Sequence, residues 1–280
     1  MDKEITGTEK RVVWAIAAVL GAVVLFSSIL HHVFPWVLDV PSNAGINFTS
    51  YRAMFLLDLI PISMGALCFY HAYRTTGLYK AMMFLGGSFF FTGLAENVWV
   101  LMGRYHMFSW FSHNLDGVTG TYYFTRAFFW WGEMPMVICL GWFFIAYSCV
   151  YIAGVLLPRG SLLLKAALGG FLAMSFDLWM DPVQVSPMWQ SWKWVSNETI
   201  KVFSIPLSNF MGWFLFIFLF AIAFDKLPRI LEKWGTGKGT AVFFLTLLLY
   251  KAGMLVVLMA YGAVAMKYVS PPLNFTIWGI

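Results

Sequence analysis

Charge is what this chain has least of. Asp, Glu, Lys and Arg make up 11% of its 280 residues, against about 25% in soluble domains. With 60% hydrophobic residues and a mean hydropathy of +0.75, a water-soluble globular protein is excluded. Cysteine is scarce as well. Cys68, Cys139 and Cys149 form no pair motif. The last two lie ten positions apart on one expected helix, roughly 15 Å by helical rise, too far to bridge. All three read as small apolar residues. There is no HExxH, no dinucleotide glycine fingerprint and no P-loop. The five histidines, His31, His32, His71, His106 and His113, lack metal-ligand spacing, and only His106, His113 and Asp116 share a loop. Neither a metal nor a cofactor is expected. A cleavable leader is not expected either. The first residues mix acids with bases, and the apolar run behind them continues to about residue 38 without a small-residue cleavage site.

Long apolar runs fill the space that charge leaves. Segments of about 20 residues, enough to cross a bilayer, fall near 13–37, 54–73, 81–102, 134–157, 161–181, 204–225 and 241–266. This pattern predicts an all-α, polytopic integral membrane bundle of about seven helices, with residues 1–280 as a single transmembrane domain. The connections 103–133 and 182–203 are rich in aromatics, including Tyr122, Tyr123, Trp130, Trp131, Trp189, Trp192 and Trp194. They are expected to lie in the interface. The formal charge of +5 reflects topology rather than nucleic-acid binding. With seven spans, eleven Lys and Arg fall on the side of the N-terminus and six on the other, with Lys251 inside a span. The excess places the N-terminus in the cytoplasm and the protein in the cell's inner (plasma) membrane.

That topology puts Asp58, Glu96, Glu133, Asp177, Asp181 and Asn209 at one end of the bundle, and Lys251 near mid-bilayer. Intramembrane acids are costly and usually functional. Asp177 and Asp181 are four residues apart, so a helix holds them on one face about one turn apart. Pro182 is expected to stop that helix directly after the second acid. The functional reading is a carboxylate couple in which one member stays protonated as a general acid and the other accepts hydrogen bonds. The plainer reading is an interfacial pair capped by water, Lys193 or Lys201. Glu96 could make a structural hydrogen bond or belong to the site. Asp58 could join the site or satisfy backbone groups freed by Pro61. Glu133 suits a helix start. Lys251 is expected to pair with one of the acids, and a Schiff-base role is disfavoured. Three glycosylation triplets, at Asn47, Asn197 and Asn274, are weak signals.

Acid groups in an apolar, aromatic-lined cavity suit a lipid with a reactive carbon–carbon double bond. A carboxylic acid can protonate a trisubstituted alkene, and aromatic faces stabilise the tertiary cation. Capture by water gives an alcohol; capture by an internal alkene gives a ring. Controlling water access decides between them.

Residues Asp177 to Asp181-Pro182-Val183, then Trp192-Lys193-Trp194, then Ile205-Pro206-Leu207-Ser208-Asn209-Phe210-Met211-Gly212-Trp213, resemble the signature of the carotenoid 1,2-hydratases. That group includes bisanhydrobacterioruberin hydratase, among the carotenoid biosynthesis membrane proteins. Glu96 with Gly103-Arg104-Tyr105 fits an earlier element loosely, and Phe203-Ser204 departs from a Tyr-Gly step. The resemblance implies cofactor-independent addition of water to the terminal double bond of an acyclic carotenoid with a lycopene-type end group. It carries over Asp177, Asp181 and Glu96 as catalytic candidates. Asn209, Trp213, Trp192, Trp194, Asp58 and Lys251 are the substrate-binding candidates. A lipophilic polyene or polyprenoid, membrane lipid and other enzymes of the carotenoid pathway are the expected partners. A cyclase or isomerase using the same acid chemistry and a non-enzymatic carotenoid-binding subunit are the alternatives. A transporter would need paired repeats, which are not evident.

Overall fold

The structure, a computed structural model, describes residues 5–34, 36, 51–104, 113–115, 118–120, 122–124 and 127–276. Helix α1 spans Gly7–Val33 and starts with a capping box between Thr6 and Glu9. Helix α2 spans Tyr51–Thr76. Helix α3, Leu78–Ser88, passes through a π-helical turn at Phe89–Gly93 into α4, Leu94–Arg104. Helix α5 is Met136–Leu156 and α6 is Leu162–Gln184, capped by Ser161. Helix α7 runs 62 residues, Leu207–Tyr268, roughly 90 Å if straight and about three hydrocarbon thicknesses. It is two helices joined at Gly235, whose φ of 70° breaks the helical path. Among the described residues, six helices are long and apolar enough to cross a membrane. The break at Gly235 divides the sixth into the last two expected spans, so the chain is an all-α polytopic membrane bundle.

Two features differ from the sequence reading. Helix α6 does not stop at Asp181 but continues to Gln184, with Pro182 inside its last turn. Proline removes a single donor, and Val185 N–H still closes onto the Asp181 carbonyl at 3.0 Å. Glu133 does not open a helix. It sits in the turn between two short strands, β4 (Trp130–Trp131) and β5 (Met134–Pro135), and α5 begins only at Met136.

The aromatic connections pair with each other. Numbered from β1 (His113–Leu115) and β2 (Val118–Gly120), which form a hairpin, strand β3 (Tyr122–Phe124) pairs antiparallel with β6 (Trp192–Trp194), setting Tyr122 opposite Trp194 and Phe124 opposite Trp192. Strand β7 (Ile200–Val202) joins β8 (Ile205–Pro206) and β9 (Leu273–Phe275) in a three-stranded sheet. The β3–β6 ribbon thus ties two loops that are 70 residues apart in sequence. It lies at the bundle end where α6 finishes and α7 begins.

The segment 127–135 is held there by side chains from three helices. Ser28 Oγ accepts from Trp130 N–H and Ser27 Oγ from Gly132 N–H, both at 2.9 Å. Asn97 Oδ1 accepts from Glu133 N–H at 2.6 Å. Asp58 Oδ2 accepts from Phe128 and Phe129 N–H at 3.1 and 3.4 Å. Gly132 has φ 60° and faces Asn97, leaving no room for a Cβ. These polar residues on apolar helices therefore satisfy backbone that would otherwise be buried without partners.

Close approach of α6 to α7 rests on Gly170, where a Cβ would stand 2.7 Å from the Phe214 carbonyl oxygen. Gly170→Ala is expected to cost about 1–3 kcal/mol of stability, read as a lowered midpoint of unfolding in detergent. Gly154→Ala, at a position with nothing within 4 Å, is expected to be neutral or slightly stabilising. Equal effects from both would show that the α6–α7 contact is not limited by this approach.

Candidate active site

Asp177 and Asp181 are both fully enclosed, at 0% and 1% exposure. Their spacing on α6 aims them at the start of α7, where Asn209 sits in the first turn. Its Nδ2 donates to Asp177 Oδ2 at 2.7 Å and to Asp181 Oδ2 at 2.8 Å. An amide nitrogen carries two protons, so each carboxyl receives one. The Trp192 indole N–H donates to the other oxygen of Asp181 at 2.7 Å. Asp181 is thus engaged at both oxygens, whereas Asp177 Oδ1 is buried without a hydrogen-bond partner among the described residues. Lys201 Nζ donates to the Ser196 carbonyl at 3.0 Å rather than to this pair.

Glu96 arrives from α4. The π turn at Phe89–Gly93 inserts extra backbone ahead of it and changes which face of the helix meets the interior. Its carboxylate accepts from the Tyr122 hydroxyl and from the Trp142 indole at 3.3 Å. Trp142 lies against Trp213 with centroids 4.0 Å apart, and against Phe216 at 4.6 Å. Tyr122 packs on Trp194 at 4.7 Å.

These groups surround a cavity of about 330 Å³, at the small end of ligand sites. Asp58, Glu96, Asp177, Asp181, Trp192, Trp194, Asn209 and Trp213 all line it. Eight of the nine candidate residues therefore meet at one void. Its far wall is apolar and comes from α2, α5 and α6. There Ile60, Met64 and Phe176 line the cavity and are also exposed on the outside of the bundle, by 61, 46 and 40%. The cavity thus lies directly behind an apolar stretch of the bundle's outer surface.

Lys251 is the exception. It is 2% exposed and does not line the cavity. The expected ion pair does not form: Nζ lies over the rings of Phe216 and Phe91 at 3.5 and 4.3 Å and has no hydrogen-bond partner among the described residues. Aromatic faces supply the stabilisation that a carboxylate was expected to give. Among the described residues no cluster of His, Cys, Asp or Glu could hold a metal, and the three cysteines are free. His106, Asp116 and the Asn47 triplet lie outside the described residues.

Sequence reasoning missed Glu198. It looked like the middle of a glycosylation triplet. In the fold it is 5% exposed and accepts from Ser208 N–H at 2.9 Å and from the Ser208 hydroxyl, next to Asn209. It caps the first turn of α7 with a negative charge at the positive end of the helix dipole. Burial pushes its carboxyl above the ordinary range, while the Ser208 donors pull it back. The signal was an acid ten residues before the serine of a Pro-Leu-Ser helix start.

A family profile described as carotenoid biosynthesis protein matches residues 56–273. The chain belongs to that family. The chain is a membrane protein of carotenoid metabolism, and the match takes in the whole cavity. Comparison with curated proteins and with solved structures gives no match.

Asp58 has two duties, one wall of the cavity and the anchor of Phe128 and Phe129. Asp58→Ala is expected to cost about 1–3 kcal/mol, the penalty for buried donors left unpaired, whereas Asp58→Asn keeps an acceptor oxygen and most of the stability. Thermal unfolding of the two variants in detergent separates them; equal stability would remove the anchoring role.

Proposed function

We propose that this protein hydrates the terminal double bond of an acyclic carotenoid, without a cofactor, by protonation followed by water capture. The observation that carries this reading is the hydrogen-bond inventory of the acid pair. Asp181 accepts from Asn209 and Trp192, one donor at each oxygen, as suits a carboxylate. Among the described residues, Asp177 accepts only at Oδ2 and keeps Oδ1 for a proton, on the wall of an aromatic cavity. Asp177 is the proton donor in this scheme. The alkene π electrons take its proton, a C–H bond forms and the tertiary carbon becomes cationic. Trp142, Trp213 and Tyr122 present π faces to that carbon. Asp181, held by two donors, stabilises the positive charge as it develops, in a site closed to bulk water. Water adds to the cation, Glu96 accepts the oxonium proton and exchange returns a proton to Asp177. Alkene and water are consumed and a tertiary alcohol is formed.

A cavity of about 330 Å³ encloses an end group rather than a long polyene, and the apolar stretch in front of it is where the remaining chain passes into the bilayer. The lipophilic substrate, the surrounding membrane lipid and neighbouring enzymes of the same pathway are the proposed partners. The Lys and Arg distribution supports an N-terminus in the cytoplasm of the inner membrane, with the site in the outer leaflet.

Expression in cells that accumulate lycopene is expected to yield pigment heavier by one water. Asp177→Asn is expected to reduce product by at least about 10²-fold, the scale of a lost general acid, in protein that still folds; Asp181→Asn is expected to do the same by loss of charge. Product of unchanged mass and altered retention would favour the cyclase or isomerase. Purified protein carrying unaltered pigment, indifferent to both substitutions, would favour a binding subunit.

A further inference from the structure

Beside the main cavity lies a second, smaller void of about 40 Å³. Glu96, Tyr122, Trp142, Trp194, Asn209 and Trp213 line both and so form a partition. The unshared walls are mostly apolar on both sides: the main side also has Asp58, Asp177, Asp181, Gln184 and Ser191, and the small side has Trp99, Pro206, Phe216 and Leu258. On the small side Ser196, Ser208 and the bare backbone of Gly212 take part. Beyond them stands the polar loop 196–199 at the end of the bundle. Buried polar atoms gather along this line. Asn197 Oδ1 and Thr199 Oγ1 complete no hydrogen bond among the described residues. Trp194 Nε1 stands near Asp181 and the Tyr261 hydroxyl near Glu198, both outside hydrogen-bonding geometry. Buried polar groups in native proteins find partners, and ordered water is the usual one when protein does not supply it. A void of this size holds more than one water, since each needs ~10–15 Å³ by this measure.

We infer that the small void is a water chamber, fed past Ser196 and Ser208, which delivers the nucleophile to the cation across the Glu96–Asn209 partition. The inference rests on the hydration reading and adds the source and path of the water. Hydrocarbon enters from the lipid side and water from the opposite side, so the two reactants meet only at the partition. Glu96, which lines both voids, accepts the proton released when the water oxygen bonds to carbon.

Gly212 gives the test. It lies one turn beyond Asn209 on the same face of α7, and a Cβ there meets only Leu258 Cδ1, at an ordinary 3.8 Å. Gly212→Ala and Gly212→Val therefore fill the chamber progressively without a backbone clash. Turnover in D₂O separates the steps: protonation followed by proton loss leaves deuterium in recovered alkene, and water capture gives the alcohol. In Gly212→Val the alcohol is expected to fall about tenfold, a modest loss of positioning, while deuterium in recovered alkene rises. Alcohol yield equal to the parent, or alcohol and deuterium falling together, would overturn the chamber and leave hydration standing. Hydroxyl-radical footprinting of the resting protein reads the chamber without turnover. Oxidation of Trp99, which lines the small void and not the main cavity, is expected in the parent and to decline in Gly212→Val. If footprinting behaves this way but no alcohol forms in the parent, the chamber holds and the hydration reading fails. Absence of oxidation at Trp99 in the parent would overturn the chamber.

Discussion

The Asn209 amide, clasped between Asp177 and Asp181, is the contact on which the site depends. Two carboxyls one helical turn apart, buried in hydrocarbon, repel each other if both are charged. A single neutral donor that bonds to both relieves this without a counter-ion. It also fixes α6 against the first turn of α7, two helices that approach closely at Gly170. Glu198 steadies the same turn from outside through Ser208. The polar pair and the apolar packing therefore depend on each other: neither geometry holds if the start of α7 moves.

Around this contact the chain separates two tasks. Asp58, Ser27, Ser28 and Asn97 hold irregular backbone in place at the end of the bundle. Asp177, Asp181 and Glu96 are held in turn by indoles, an amide and a phenol. Those donors are rigid aromatic or amide groups. Their orientation is set by packing such as the Trp142–Trp213 contact, so the carboxyls are held in one geometry.

Much of this was legible in the sequence, for identifiable reasons. Helical periodicity fixes the relation between Asp177 and Asp181, and bilayer thickness fixes the spans, so each of the seven expected runs is helical over most of its length. What was not legible is long-range or irregular. The pairing of Tyr122–Phe124 with Trp192–Trp194 joins two loops whose separate sequences say only that they are aromatic. The depth of Lys251 was readable; its placement on Phe91 and Phe216 was not, because three segments have to converge to make it. Glu198 was hidden because its role depends on where Ser208 stands in space. Pro182 misled because a helix tolerates the loss of one donor in its final turn.

The apolar stretch of Ile60, Met64 and Phe176 in front of the cavity bears on how such a protein could discriminate between ligands. A molecule whose tail never leaves its solvent gives up little hydration or lipid contact on binding, and gains little. Recognition is then confined to the few atoms that cross the threshold. A long symmetrical molecule would present either terminus with equal ease, and the second could be handled only after release, reorientation in the bilayer and a new encounter.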